Sequence, residues 1–358
     1  MSEYLEDRKV TLTLTGDFFC SKEFDYKERK GITDYLSDAP NAVVNFEGAV
    51  EGDSVIAKSI RLASDPDVVP LLRGCAVALS NNHVLDFQKQ GLDLLIAKLN
   101  ESSIPFFGIN SNSKILDNFK ILDLEGTRVC FMGFGAENEQ CVTPTADSPG
   151  VLNFGSKNLK SSFEALDKEL FDYLIVYAHI GYEFEKYPLP LHVGLCRQAI
   201  DLGADLVYCS HTHCLQPYEV YDDKYIFYGL GNFYFSSGRD RYPVSSDIGA
   251  IVKIALSCHK REVSLVDVEK IEYGRPGPGF EISLFESFQK EWKLDFTSLK
   301  KYSQNYSLIR TRKSNPRPIL YYNRPILNFV KFRAWKLVVD ITGVLGIRQI
   351  VKRFLRWQ

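Results

Sequence analysis

The sequence lacks most of the features that mark secreted, membrane-spanning or nucleic-acid-binding chains. Its eight cysteines include no Cys-x-x-Cys pair, which argues against a zinc knot or a disulfide framework. No uninterrupted apolar run reaches the length of a membrane span, and the polar, acidic N-terminus has no apolar signal core. The formal net charge of -2 argues against a dedicated nucleic-acid binder. We therefore expect reduced thiols, a cytoplasmic location and no nucleic-acid partner.

Histidine is scarce as well, with six in 358 residues, but four of the six follow predicted strands, as do two carboxylates. The residues in this position are Asp17, Glu47, His83, His179, His211 and His213. Because open α/β sheets bind ligands beyond the carboxyl ends of their strands, this recurrence indicates a site. His192 and His259 lack such a setting, and we expect ordinary structural roles for both.

The composition, 45% hydrophobic and 25% charged, is that of a globular chain with material for one large core. From residue 8 to about residue 275, short β-rich runs alternate with helical ones, which predicts a layered α/β domain with a mixed sheet. Strands are predicted at 10–15, 42–46, 75–79, 105–108, 119–124, 128–133, 173–178, 205–209, 217–222, 224–228, 249–257 and 262–269. Helices are predicted at 65–73, 88–101, 158–169 and 190–202. Two pairs, 119–124 with 128–133 and 217–222 with 224–228, are predicted hairpins.

The C-terminal part differs in character. Arg275-Pro276-Gly277-Pro278-Gly279 predicts the end of the first domain (8–275), and 280–358 is predicted to be a helical extension that begins with a helix over 280–310. Residues 326–358 carry seven Lys or Arg residues against one acid, interleaved with aromatic and aliphatic residues. Two interpretations stay open: an amphipathic segment that holds the protein peripherally at the inner face of the membrane, or a helix pair packed on the domain with its cations solvated.

The residues at the strand ends are typical ligands of a pair of divalent cations. Mixed oxygen and imidazole ligation favours manganese, zinc or iron over calcium or magnesium. His211 and His213 are expected to project to one side of an extended segment, and Asp17, after the Thr15-Gly16 turn, is the favoured bridging carboxylate. The predicted ligands are Asp17, Glu47, Asn82, His179, His211 and His213. Taken singly, Asp17 is also compatible with a turn residue and Asn82 with a helix cap.

Two carboxylates facing two divalent cations leave a net positive centre, which predicts an anionic substrate, either a small molecule or a polymer. His83 follows the ligand Asn82 and precedes Asp86 by three residues. An imidazole oriented by a carboxylate can protonate a leaving alkoxide, so His83 and Asp86 are predicted to form a general-acid pair. Asn232, within Gly229-Leu230-Gly231-Asn232-Phe233, is a candidate hydrogen-bond donor, although that segment is equally compatible with a plain turn.

Several motifs together resemble the CapA family, the bacterial capsule-synthesis proteins of poly-γ-glutamate capsules. They are Asn45-Phe46-Glu47, Asn81-Asn82-His83-Val84-Leu85-Asp86, His179-Ile180-Gly181-Tyr182-Glu183-Phe184, His211-Thr212-His213, Gln216-Pro217-Tyr218-Glu219 and Gly229-Leu230-Gly231-Asn232-Phe233. That family is similar to the calcineurin-like metallophosphoesterases, which implies a sandwich of two mixed β-sheets flanked by helices. The resemblance also implies the ligands and the acid named above, with Asn45, Glu183 and Asn232 as substrate-binding residues.

Two departures from the phosphoesterase pattern concern the metal sites. Those enzymes begin with Asp-x-His, whereas Asp17 is followed here by Phe18 and Phe19, and Glu47 stands where an aspartate is usual. One of the two ions thus loses an imidazole, so we expect one site to bind metal more weakly.

Three functions are compatible with the sequence. The favoured one is a metal-dependent hydrolase or transferase acting on a phosphate- or carboxylate-bearing intermediate of capsule or other surface-polymer biosynthesis. The second is a non-catalytic subunit that holds an anionic polymer within a capsule synthase complex. The third is a nucleotide phosphoesterase.

Overall fold

The computed structural model describes residues 8–21, 26–53, 55–56, 58, 60–112, 118–236, 244–273, 280–286 and 291–295. The strands in these ranges are β1 (Lys9–Phe19), β2 (Ala42–Phe46), β3 (Ala49–Val50), β4 (Ala63–Ser64), β5 (Ala76–Ala78), β6 (Phe106–Phe107), β7 (Phe119–Leu124), β8 (Thr127–Gly135), β9 (Tyr173–His179), β10 (Leu206–Ser210), β11 (Tyr218–Tyr221), β12 (Lys224–Phe227), β13 (Asn232–Phe235), β14 (Ile248–Ser257), β15 (Val263–Tyr273) and β16 (Phe280–Leu284). The α-helices are α1 (Tyr26–Asp38), α2 (Gln88–Glu101), α3 (Ser156–Glu164) and α4 (Pro190–Leu202).

The strands form two large mixed sheets. The first sheet has the order β16-β15-β14-β1-β2-β5-β6, and β13 also pairs with β1. The second has the order β11-β12-β10-β9-β8-β7. In the first sheet β1, β2, β5 and β6 are parallel, and β14, β15 and β16 continue the sheet on the other side of β1 as antiparallel strands. In the second sheet the middle strands are parallel and the edge strands β7 and β11 are antiparallel to their neighbours. The predicted mixed character is confirmed.

The two sheets pack face to face, with helices outside them. Leu12, Leu14 and Val43 of the first sheet share one buried cluster with Phe131 and Ile175 of the second. The outer face of the first sheet packs against α1 and α2, and the outer face of the second packs against α3 and α4. Strands covered on both faces must be apolar throughout, which accounts for the fully buried β9. The predicted sandwich flanked by helices is confirmed.

All twelve predicted strands are present, and both predicted hairpins form. Glu125-Gly126 and Asp222-Asp223 turn with positive φ at both central residues, as tight hairpin turns require. Helix α1, in which Ile32 and Leu36 are buried, was not predicted, and neither were the strands β3, β4, β13 and β16. The segment predicted as a helix over 65–73 is a 3₁₀ helix at Pro66–Leu72. Pro70 lies inside it and cannot donate the backbone hydrogen bond of an α-helix.

The helix predicted over 280–310 is wrong at its start. Phe280–Leu284 is a strand, antiparallel to β15 with Tyr273 opposite Phe280. Apolar and polar residues alternate in its sequence Phe-Glu-Ile-Ser-Leu, which is typical of a strand with one face towards the core. Lys293 further pairs with Tyr218 of β11, so the sandwich continues beyond the predicted boundary at residue 275. The basic segment 326–358 lies outside the described residues, and its membrane contact stays a prediction.

The topology brings the carboxyl ends of five parallel strands together. β1, β2 and β5 come from the first sheet, and β9 and β10 come from the second. Among the helices that the structure describes, none has the length and apolar character needed to cross a membrane. All eight cysteines are free, and seven of them are buried.

Candidate metal centre

The residues predicted at the strand ends converge in one buried cluster. Asp17, Glu47 and His179 have no exposed surface, and His211, Asn82, His83 and His213 are at most 5% exposed. The carboxylate of Asp17 lies 3.8 Å from Nδ1 of His179, and its Oδ2 accepts a 3.0 Å hydrogen bond from the backbone N–H of His211. Side chains distant in sequence thus meet in a single site.

Asp17 is fixed by its neighbours in the sheet. Gly16 lies so close to the carbonyl of Gly231 that a β-carbon there would stand 1.9 Å from that oxygen, so only glycine fits. The N–H of Asp17 donates to the same carbonyl at 3.0 Å, and a bulge follows between Asp17 and Phe18. Asn45 donates from Nδ2 to Oδ1 of Asp17 at 2.7 Å. The carboxylate is therefore preorganised.

Glu47 is the most unusual group of the cluster. Both of its carboxylate oxygens are buried, and neither has a hydrogen-bond partner among the described residues. Its Oε1 lies 3.7 Å from Nε2 of His179, 3.7 Å from Nε2 of His213 and 3.9 Å from Nε2 of His83. Burial raises the pKa of Glu47 well above its usual value, and the charges of Asp17 and Glu183 raise it further. A buried carboxylate without partners is costly, and a cation would remove that cost.

Two overlapping sets of side chains have ligand atoms close enough together to hold a metal ion. One is Glu47, His179 and His211, and the other is Asp17, Glu47 and His213. The amide oxygen of Asn82 lies 3.0 Å from Nε2 of His179, at the first set. Glu47, rather than the predicted Asp17, is common to both sets and is thus the better placed bridging carboxylate. Their donors, carboxylate oxygen and imidazole nitrogen, fit transition-metal cations.

The imidazoles reach these positions differently from the prediction. His211 and His213 do not lie in an extended segment, because their φ angles are +96° and +55°. This left-handed turn sends His211 to one set of ligands and His213 to the other. Nδ1 of His213 lies 2.9 Å from Oδ1 of Asn232. Nδ1 of His179 lies 3.1 Å from the hydroxyl of Tyr177 and 3.2 Å from Oγ of Ser210.

Burial and neighbouring charges set the protonation of these rings. Burial lowers the pKa of His179 well below its usual value, and the nearby His211 and His213 lower it further. Burial also lowers the pKa of His211, but a hydrogen bond to Glu139 and the charge of that residue outweigh it, and the net shift is upward. Neutral imidazole is the form that binds a metal ion.

His83 and Asp86 form the predicted pair. Nδ1 of His83 lies 2.6 Å from Oδ2 of Asp86. Lys58 joins them from the preceding loop, with Nζ 3.2 Å from Oδ1 of Asp86 and 3.1 Å from Nδ1 of His83. Burial lowers the pKa of His83 to about 4, with the charge of Lys58 as the next cause. The ring is therefore neutral at pH 7, and its predicted role as the acid stays a prediction.

The three residues predicted to bind substrate occupy different places. The amide of Asn45 donates a hydrogen bond to Asp17 and accepts one from Nδ2 of Asn81 at 3.2 Å, so both ends of this amide are already hydrogen-bonded within the protein. Asn232 presents its oxygen to His213 and acts there as an acceptor rather than the expected donor. Glu183 is partly exposed, and its charge raises the pKa of Glu47. Their substrate-binding roles remain predictions.

Two charged residues of the site, Lys58 and Glu139, were not predicted from the sequence. Glu139 lies in the turn after β8, with Oε2 3.3 Å from Nε2 of His211. Lys58 lies in the loop between β3 and β4, and its Nζ donates a 2.7 Å hydrogen bond to the backbone carbonyl of Asn82. The two residues are 24 positions apart, so no local sequence pattern indicates this contact. Glu139, Glu183 and Asp86 add negative charge, and Lys58 adds positive charge, that the sequence-based count left out. Net charge alone therefore does not select an anionic substrate.

Phe19 lies two residues after Asp17, where the resemblance noted in the sequence would place a histidine. Its ring is buried with Leu62 and Phe235, at a centroid distance of 5.1 Å from Phe235. Phe235 in turn meets the ring of His213 edge-on at 4.9 Å. An apolar group thus borders the set Asp17, Glu47 and His213.

His192 and His259 lie apart from the centre, as expected. His192 is buried in α4, where burial lowers its pKa to about 4. His259 is exposed in the turn between β14 and β15. Neither belongs to a set of potential metal ligands among the described residues.

Comparison with known proteins found a matching family model, sequence relatives and similar solved structures. A sequence model of the family described as "Bacterial capsule synthesis protein PGA_cap" matches residues 11–237. The chain is 28% identical to the capsule biosynthesis protein CapA of Bacillus anthracis over 77% of this chain and 71% of that protein. It is 27% identical to the PGA biosynthesis protein CapA of Bacillus subtilis over 51% of this chain and 49% of that protein, so it spans about half the length of that relative. The crystal structure of the calcineurin-like phosphoesterase YfkN from Bacillus subtilis is similar with a TM-score of 0.42 at 13% identity, covering 86% of this chain and 100% of that chain.

Proposed function

Because this chain belongs to the bacterial capsule synthesis protein family PGA_cap, we propose that it is a divalent-cation-dependent hydrolase or transferase of capsule or other surface-polymer biosynthesis. The polymer is poly-γ-glutamate or a polysaccharide, and the substrate is a phosphate- or carboxylate-bearing intermediate. The observation that carries the proposal is Glu47, a fully buried carboxylate whose two oxygens have no hydrogen-bond partner among the described residues and which faces three imidazoles.

The ions would be held by the two sets of ligands that share Glu47. Manganese, zinc and iron suit these donors best. The residues that would hold them are Asp17, Glu47, Asn82, His179, His211 and His213. Such ions supply Lewis-acid stabilisation of the negative charge that develops during phosphoryl or acyl transfer.

The chain's own groups provide proton transfer and positioning. Nε2 of His83 lies 3.9 Å from Oε1 of Glu47, so the ring borders the cluster and can exchange a proton with a group bound there. Asp86 orients this ring through Nδ1, and Lys58 braces Asp86. In this proposal His83, which is neutral at rest, first takes up a proton at Nε2 from a group bound in the centre, such as an attacking hydroxyl or water. The resulting imidazolium, held by Asp86 at Nδ1, then gives that proton to the leaving oxygen.

The substrate class is proposed because the substrate's own oxygens could bind the cations directly, and not because of the net charge of the centre. Phosphate and carboxylate oxygens are good ligands of the proposed cations. The carboxylates of Glu139 and Glu183 offset part of the cation charge, and Glu183 is the partly exposed member. Glu183 is therefore the residue of the centre best placed to accept a hydrogen bond from a hydroxyl or N–H group of a bound substrate, since its charge would repel the phosphate or carboxylate itself.

A non-catalytic role is the second candidate. The depth of the centre favours it, because Asp17, Glu47 and His179 have no exposed surface. In that case the same cations would anchor an anionic polymer for a capsule synthase complex. Cleavage of the polymer would need proton transfer by His83, whereas holding the polymer would need only the cations.

The test compares the wild-type chain, loaded with Mn²⁺, with His211→Ala, His83→Ala and the exposed control His259→Ala. The substrates are a sugar phosphate, a phosphodiester, a cyclic dinucleotide and a γ-glutamyl peptide. We expect His211→Ala to lose metal and turnover, and His83→Ala to keep its metal while turnover falls about 10²–10⁴-fold. Full turnover in His83→Ala contradicts the acid assignment. Metal and polymer binding without any turnover selects the non-catalytic role, and fastest turnover of the cyclic dinucleotide selects a nucleotide phosphoesterase.

A further inference from the structure

Glu139 stands beside the predicted ligand set without belonging to it. It is 8% exposed, and its Oε2 lies 3.3 Å from Nε2 of His211. The other ring nitrogen of His211, Nδ1, lies 3.0 Å from Nε2 of His179. The imidazole therefore spans from Glu139 on one side to the ligand set on the other.

A short turn places Glu139 there. β8 pairs with β9 so that Gly135 is opposite His179, and a 3₁₀ turn at Glu137–Glu139 follows. Gln140 closes the turn with a φ of +68°, and the N–H of Cys141 returns to the carbonyl of Ala136 at 3.2 Å. A β-carbon on Gly135 would stand 2.5 Å from Sγ of Cys141, so the return needs glycine. The turn thus holds Glu139 over the end of the second sheet.

The hydrogen-bond partners of the three imidazoles differ in charge. Nδ1 of His179 meets the hydroxyl of Tyr177, and Nδ1 of His213 meets the amide oxygen of Asn232, which are both neutral groups. The Asp17 carboxylate lies beyond hydrogen-bond distance, 3.8 Å from Nδ1 of His179 and 3.6 Å from Nδ1 of His213. Nε2 of His211 meets a carboxylate. A carboxylate that accepts from the distal N–H fixes the tautomer and the orientation of a ligating imidazole and raises its basicity.

Building on the proposed metal centre, we infer that Glu139 is a positioning residue that orients His211 for cation binding and makes the set Glu47, His179 and His211 the tighter of the two sites. In the other set, the hydrogen-bond partner of His213 is the neutral amide of Asn232 and the border formed by Phe19 and Phe235 is apolar, so this set is the weaker one. Glu139 itself does not ligate the cation, because His211 lies between them.

The test is a titration of chelator-treated protein with Co²⁺, followed by calorimetry and by visible absorption. We expect the first dissociation constant to rise about 10–100-fold in Glu139→Ala and less in Glu139→Gln, which keeps the acceptor but not the charge. The absorption of the first bound Co²⁺ should change with it, whereas the second constant stays the same. Glu137→Gln, which removes an exposed carboxylate from the same turn, is the matched control and should match the wild type.

Three outcomes overturn the inference. If both Glu139 variants bind two Co²⁺ ions with the constants and spectrum of the wild type, Glu139 has no positioning role, although the metal centre stands. If the second constant changes instead of the first, the assignment to the tighter site is wrong. If the wild type binds no Co²⁺, the metal centre and the inference fail together. Should Glu139→Ala not fold, the isosteric Glu139→Gln carries the test.

Discussion

Oε1 of Glu47 and Nε2 of His179 lie 3.7 Å apart, although the two residues stand at the ends of strands of different sheets. Each sheet alone would present a carboxylate or an imidazole at its edge. Packed face to face, the two sheets close a cluster in which oxygen and nitrogen donors surround a common volume. The candidate metal centre is therefore a product of the sandwich rather than of one loop.

Glu47→Gln is expected to abolish the stabilisation that metal ions give. The variant keeps the shape of the side chain but removes the charge common to both ligand sets. At an ion concentration of about 100 times the dissociation constant, binding to one site stabilises a protein by about 2.7 kcal/mol. Thermal unfolding with and without Mn²⁺ measures this shift, and the exposed Glu51→Gln should retain it. A Glu47→Gln chain that responds to Mn²⁺ like the wild type would show that Glu47 is no ligand.

Lys58→Met is expected to destabilise the chain by about 1–3 kcal/mol, because the buried carboxylate of Asp86 loses its lysine partner and keeps its contacts with His83 and the backbone N–H of Leu62. The two side chains are only 6% and 0% exposed, with 3.2 Å between Nζ and Oδ1. Lys89→Met is the matched control, since its pair with Asp93 is exposed at 66% and 55%, and it should change stability by less than about 0.5 kcal/mol. Urea unfolding of both variants measures the free energies, and equal losses would refute a structural role for the buried pair.

His192 predicts a pH dependence of stability. Burial lowers its pKa in the folded chain to about 4, so the unfolded state binds more protons below the usual histidine pKa. Its contribution is thus fully present at neutral pH and is lost as the pH falls towards 4, by at most about 3 kcal/mol.

The check is urea unfolding of chelator-treated wild type and His192→Leu at pH 7.5 and pH 5. The wild type should lose more free energy of unfolding than the variant between the two pH values. His259→Gln, at an exposed turn, should follow the wild type. Parallel pH dependence in His192→Leu would mean that the buried ring is not the cause.

Phe19→His is expected to strengthen the weaker ion site. Phe19 lies two residues after Asp17 on β1, beside the aromatic group that contacts His213. A further imidazole ligand there should lower the second dissociation constant for Zn²⁺ about tenfold, equivalent to ~1.4 kcal/mol. Calorimetric titration measures it, with Phe19→Leu as the control that keeps the apolar contact. An unchanged second constant would show that the ring cannot reach the ion.

Local sequence patterns predicted the sheets well. Buried strands such as β9 are continuous apolar runs, and the residue that ends the run is already in the site. Strand β13 was not predicted, because Asn232 comes after two glycines that are equally typical of a turn and because the pairing of β13 with β1 is a long-range contact. β16 escaped because the Pro-Gly segment before it marks a break in the chain but does not indicate the type of the next element.

The ligand cluster could be predicted because each member stands at the end of a recognisable strand. Glu139 and Lys58 do not, and their contacts with His211, His83 and Asp86 depend on how turns fold back over the sheet edges. That Glu47 rather than Asp17 is common to both candidate ligand sets could not be predicted for a related reason. Which carboxylate lies between two ligand sets is decided by the packing of two sheets, and no local pattern encodes it.

Anomalous diffraction from crystals of the wild-type chain grown with Mn²⁺ tests the metal centre most directly. The expected result is two peaks on either side of the Glu47 carboxylate, about 3.5–4 Å apart, one beside His179 and His211 and the other beside Asp17 and His213. Crystals in saturating Mn²⁺ without any anomalous peak within coordination distance of Glu47 would contradict it.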